Sequence, residues 1–144
     1  MAYRGKYKPE NPNKYVGNYA NIVYRSLLER RFMVFCDRNP NILKWASEEM
    51  AIPYISPMDN RVHRYYVDFI IEVKENEEKI KTYLVEIKPH RQCTEPKATK
   101  SKSRRTFLKE IATWSINTSK WKAATEFANK HNWEFKLITE KNLT

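Results

Sequence analysis

The chain has 144 residues and a formal net charge of +10, from 27 Lys and Arg against 17 Asp and Glu. That length suits one domain rather than two, and 41% hydrophobic with 13% aromatic residues exclude an intrinsically disordered chain. No apolar run approaches the roughly 18 residues of a membrane span, the basic start Met1–Lys8 lacks a secretion signal's apolar stretch, and two cysteines make no disulfide framework. A soluble intracellular globular protein is expected.

Residues 1–20, rich in Tyr, Pro, Asn and Lys without an apolar period, read as an extended basic arm ahead of a single domain over 21–144. Ser26-Leu-Leu-Glu29 fits a capping box, and Leu28, Phe32 and Phe35 follow at helical spacing, so a helix is expected from Ser26 to near Arg38. Pro40 disfavours helix in the residue before it. Ile42–Ala46 and Met50–Ile55 read as short strands, the second with Pro53 and so suited to an edge. After the turn Pro57–Asn60, Val62–Val73 alternates as one long strand, and Ile80–Lys88 follows a polar turn as another, closed by Pro89. Residues 90–105 read as a basic loop. Phe107, Ile111 and Trp114 open a second helix, which Asn117-Thr-Ser119 is expected to interrupt before Ser119 caps a continuation through Trp121, Ala124 and Ala128. Trp133–Thr139 reads as a last strand. The expected order is α-β-β-β-β-α-β.

Charged residues inside two of these strands break the apolar pattern. Asp68 interrupts Tyr65-Tyr-Val-Asp-Phe-Ile-Ile71, and by period two it shares a face with Tyr66 and Ile70. Glu86 and Lys88 share a face with Leu84 on the next strand. Pairing of the strands would set Asp68 beside Glu86, with Lys88 about 6–7 Å further along. Two carboxylates at close quarters repel, and a hard divalent cation such as Mg²⁺ or Mn²⁺ relieves that repulsion. Such a site suits phosphodiester hydrolysis, with the ammonium orienting water or offsetting charge. The same residues also read as a salt bridge of Lys88 with Glu86 or Asp68 on an exposed face, since the string Asp then Glu-x-Lys is short and common. Glu29 lies at the edge of the apolar stripe of Phe32, Met33 and Cys36, either capping its helix or pointing to the sheet.

Glu29 on a first helix, Asp68 on a strand and Glu86-Ile-Lys88 on the next resemble the PD-(D/E)xK nucleases. Tyr24-Arg-Ser26 and Tyr65-Tyr-Val-Asp68 resemble the endonuclease subunit of Tn7-type transposition. Across nearly the whole chain the sequence is similar to the head-completion nucleases of T-even-type tailed phages. Asn39-Pro40, Trp45-Ala-Ser-Glu48, Ile52-Pro-Tyr54 and Glu86-Ile-Lys-Pro89 carry that similarity, as does, most distinctively, Thr113-Trp-Ser-Ile-Asn-Thr-Ser-Lys-Trp-Lys-Ala-Ala124. The resemblance implies an α/β fold with a central mixed sheet flanked by helices, and a Mg²⁺-dependent DNA endonuclease in which Mn²⁺ substitutes. It places Asp68, Glu86, Ile87 and Glu29 around the metal and Lys88 at the water. It also implies a role late in capsid assembly in the host cytoplasm, with DNA and capsid, portal or neck proteins as partners. The superfamily's proline before the aspartate is Val67 here.

Charge is unevenly divided: +4 over residues 1–50, −1 over 51–90 and +7 over 91–144. Basic flanks around an acidic centre fit a polyanion gripped beside a cation site, and they also fit simple solubility. Arg91, Lys97, Lys100, Lys102, Arg104, Arg105, Lys120 and Lys122 are the candidate phosphate contacts. His63, His90 and His131 form no zinc pattern, and two glycines exclude a glycine-rich phosphate loop. A DNA-end or capsid-vertex binding protein on a nuclease scaffold, and a junction-resolvase or transposon-type nuclease, are the alternative readings.

Overall fold

Segment 1–20, expected as an extended arm, is bonded into the domain in the computed structural model, which describes residues 3–143. The first two residues of that segment, and Thr144 at the far end of the expected domain, lie outside the described residues. Strand β1 (Gly5–Tyr7) pairs antiparallel with β2 (Ile22–Tyr24), and Tyr7 and Tyr15 are buried against Trp45 in edge-to-face contacts with ring centroids 6.1 and 4.8 Å apart. A side chain at Gly5 would meet the Tyr24 phenol, which packs over the glycine and would have to move aside.

The Ser26 hydroxyl accepts the Glu29 amide at 3.1 Å and starts helix α1 (Leu27–Arg38), as expected. Glu29 reaches back to the amide of Arg25, one residue beyond the Ser26 amide that a full capping box would engage. Phe32, Met33 and Cys36 turn into the core, whereas Phe35, assigned to the same stripe, is 43% exposed.

Strands β3 (Ile42–Ser47) and β4 (Ala51–Ile55) follow. The expected single strand over Val62–Val73 is two: β5 (Val62–Tyr66), paired with β4, and β6 (Phe69–Asn76), paired with β3. Ser47 faces Phe69 and Ala51 faces Tyr66, so one chain spends four steps where the other spends three. Glu48, at φ 54°, takes up the extra residue; its amide donates to the Asp68 carbonyl at 3.0 Å, and Val67 donates to Met50 at 3.2 Å. This bulge bends the ribbon at Asp68. Period two therefore does not carry through from Tyr66 to Ile70.

Strand β7 (Lys79–Ile87) pairs antiparallel with β6 and parallel with β8 (Glu134–Ile138), giving a mixed sheet in the order β3-β6-β7-β8. The connection between β7 and β8 runs through one long helix. A short 3-10 turn at His90–Gln92 interrupts the expected basic loop, and α2 (Arg104–Lys130) begins earlier than its apolar pattern suggested, capped by Ser103 on the Thr106 amide at 3.1 Å. Nor does Asn117-Thr-Ser119 interrupt it. Thr118 folds its hydroxyl back onto the carbonyls of Trp114 and Ser115 at 2.9 and 3.1 Å, which satisfies the polar group inside a continuous helix.

The alternating strand residues feed two cores. Phe69, Ile71, Val85 and Ile87 face α1 and the N-terminal strands, while Leu84 faces α2 with Ile52, Tyr65, Ala124 and Ala128. The two helices thus cover opposite faces of one sheet, the α/β architecture expected. Among the described residues no helix is long and apolar enough to cross a membrane.

Candidate active site

The bend at Val67–Asp68 releases Asp68 from strand pairing on the edge of β6, beside the C-terminal end of β7. There its Oδ2 accepts the Ile87 amide at 2.8 Å. Glu86, one residue earlier on β7, is 5% exposed and held by the Tyr65 phenol, which donates to its Oε1 at 2.7 Å. Burial first, and then the negative charge of Glu86, push the Asp68 carboxyl well above the ordinary carboxylate range, against the lowering hydrogen bond from Ile87. Glu29 adds a further push. Burial and the Glu86 charge also push the Tyr65 phenol up, so it stays a proton donor at any physiological pH.

A concavity of about 490 Å³ opens over this pair. Asp68, Glu86 and Lys88 line it together, so the strands bring together the three residues whose spacing singled them out. Lys88 is half-buried just beyond β7, and among the described residues it makes no ion pair within 4.0 Å. Glu29 does not line the concavity, although its charge is felt by Asp68. Its own carboxyl is raised by burial, then by Glu48 and Glu86, against lowering contributions from Arg25. Ile87 contributes its amide to Asp68.

Six further residues line this wall, Arg25 and Tyr66 among them. Glu48 lies on it through the bulge and is ion-paired with Arg25. Tyr65 reads in the sequence as an ordinary core aromatic, and only its register opposite Ile52 and its reach to Glu86 give it a polar task. Arg64 completes the rim. Lys120 arrives from α2, its Nζ 5.6 Å from the Tyr65 ring centroid. The other candidate phosphate contacts divide. Arg91, Lys97 and Lys102 line a second groove beside α2, whereas Lys100, Arg104, Arg105 and Lys122 border neither cavity.

The donor set fits a hard divalent cation. Among the described residues no three His, Cys, Asp or Glu side chains close on one point, but Mg²⁺ is commonly held by one or two carboxylates and completed by water. A carboxylate pair whose mutual repulsion already raises Asp68 is the electrostatic arrangement that such a cation relieves.

Comparison with known proteins identifies the family. A family model described as TnsA-like endonuclease N terminal matches residues 39–140, the stretch holding Asp68, Glu86 and Lys88. The head completion nuclease of Enterobacteria phage T4 is 37% identical over 146 aligned positions, covering 99% of this chain and 95% of that protein. The chain belongs to the TnsA-like endonucleases, a PD-(D/E)xK family, and is a homologue of that phage head completion nuclease.

Proposed function

We propose that the chain is a metal-dependent DNA endonuclease that acts during head completion of a tailed phage, hydrolysing packaged or protruding DNA before the tail attaches. The observation that carries this reading is the pair of a half-buried Asp68 and a buried Glu86, flanked by Lys88 and Lys120. Asp68 and Glu86, with Glu29 behind them and the Ile87 main chain between them, would hold Mg²⁺ or Mn²⁺, which supplies a Lewis acid for a phosphodiester oxygen.

The remaining steps belong to the chain's own groups. Lys88 donates to the attacking water and orients its oxygen toward phosphorus. As the water oxygen bonds to phosphorus and gives up a proton to solvent, the bond to the 3′ oxygen breaks and that oxygen takes a proton from solvent, leaving a 3′ hydroxyl and a 5′ phosphate. Lys120 and Arg64 hold backbone phosphates on the rim, and the basic flanks draw the duplex in by counterion release. Location in the infected host's cytoplasm and contacts with portal, neck or capsid proteins follow from the same reading.

Supercoiled plasmid tests it. Conversion to open circle and linear forms in Mg²⁺ or Mn²⁺, with none in EDTA, is expected. A protein that binds the plasmid but never nicks it in either metal overturns the catalytic reading in favour of a DNA-end binding protein.

Tyr65→Phe examines the geometry behind Glu86. Removing the phenol proton leaves a buried carboxylate oxygen without its donor and lets Glu86 swing, so the Mg²⁺ concentration at half-maximal nicking should rise about tenfold. The rate at saturating Mg²⁺ should change far less. A purely structural role for Tyr65 would instead lower thermal stability and leave the Mg²⁺ requirement where it was.

A further inference from the structure

The second groove, about 750 Å³ between the 91–102 segment and the N-terminal half of α2, is not used by the chemistry above. Its floor is built from Trp114 and Asn117, one helical turn apart. Asn117 is only 9% exposed, and it lines the groove. The wall is fixed rather than loose: Lys102 Nζ donates to the Lys97 carbonyl and to Glu110, both at 3.0 Å, tying the 91–102 segment to α2. The charged lining is Arg91, Lys97, Lys102 and Lys109 against Glu95 and Glu110, and with Glu110 paired to Lys102 the remaining balance is basic. A groove with an aromatic and amide floor and a cationic rim complements a flat, hydrogen-bonding group on a phosphate chain.

We infer that this groove binds an unpaired DNA segment, seating a nucleobase on Trp114 and Asn117 with its phosphates against Arg91, Lys97 and Lys109. A duplex keeps its pairing edges and ring faces inside the stack, so it cannot present either to a recessed floor. An unpaired base presents both. The groove's volume falls in the range that encloses a small flat group, well short of what seats a duplex. Asn117 and Lys120 lie three residues apart on α2, about 4.5 Å along its axis, so the base site and the catalytic concavity adjoin. The substrate is then DNA with a single-stranded branch or tail, cut close to the junction. This rests on the endonuclease reading and names the substrate class for it.

The test measures binding in EDTA, where nothing is cut, so it is independent of catalysis. The full chain is titrated with two fluorescein-labelled duplexes of one sequence, one blunt and one with a short unpaired tail. The tailed DNA should bind about tenfold more tightly, the size of one stacking contact. Asn117→Leu and the exposed charge reversal Lys109→Glu should each bring that ratio toward one. Photo-cross-linking with 5-iodouracil in the tail should label Trp114, which needs no variant at all. Equal affinities for the two DNAs, or cross-links that map away from 91–117, overturn the inference. Failure to nick plasmid in any metal, with the preference intact, would sink only the nuclease reading.

Discussion

Asp68→Asn and Lys88→Ala should each slow plasmid nicking by about 10³-fold at saturating Mg²⁺, roughly 4 kcal/mol of barrier. The asparagine keeps the shape of the side chain, and its oxygen still accepts the Ile87 amide now found at 2.8 Å. What it removes is the charge. Without it the pair with Glu86 no longer repels, and one anionic oxygen for a cation is gone. Because burial and Glu86 make that charge costly in the metal-free fold, Asp68→Asn should raise thermal stability in EDTA by about 1–2 kcal/mol while abolishing activity. Lys88→Ala removes a half-buried ammonium with no ion-pair partner within 4.0 Å among the described residues, so it should cost rate with little change in stability. Nicking rates paired with melting curves check both. An Asp68→Asn variant that is inactive and also destabilised would show that Asp68 is a structural residue.

The chemistry was legible because charges in apolar strands are conspicuous: Asp68, Glu86 and Lys88 each break a period, and the strands bring all three into one concavity. The geometry that aims them was not. Val62–Val73 alternates so evenly that period two predicts one strand, and the bend depends on one residue of extra chain at Glu48, on the partner strand. Residues that act across strands are silent for the same reason. Tyr65 is spelled like any strand aromatic, and its bond to Glu86 spans 21 positions of sequence. In α2 the misreading came from local propensity. Asn-Thr-Ser favours turns in isolation, but Thr118 satisfies its hydroxyl within the helix and Asn117 is turned into a groove. The division of charge into +4, −1 and +7 keeps its sense, since the acidic middle holds Asp68 and Glu86 while α2, from the basic third, brings Lys120 to the rim.

The N-terminal segment was opaque because a single distant carboxylate organises it, and replacing that carboxylate should have the largest effect on stability. Asp37, 1% exposed near the end of α1, accepts the Tyr7 hydroxyl at 2.6 Å and the amides of Glu10 and Asn11 at 2.7 and 3.0 Å. Lys14 adds three bonds to the carbonyls of Cys36, Asp37 and Asn39, neutralising the negative end of the helix. Asp37→Ala strands those donors around a buried void and should cost about 3–5 kcal/mol, a melting-temperature fall of roughly 10–15 °C for a domain of this size. Burial on its own would raise the Asp37 carboxyl, but the bonds from Tyr7, Glu10 and Asn11 outweigh it and hold it below the ordinary range. A carboxyl lowered by folding stabilises fully above its unfolded value of about 3.9, and that contribution drains away as pH falls through the folded value. Wild type should therefore lose stability below about pH 4, whereas Asp37→Asn, weaker at neutral pH, should show a flatter profile over the same window. Melting curves from pH 7 to pH 3 decide it: parallel profiles for the two proteins would mean that Asp37 is not the anchor, whatever its neighbours. Because Asp37 lies on the α1 side of the sheet, away from the concavity, nicking per folded molecule at 20 °C should survive the substitution.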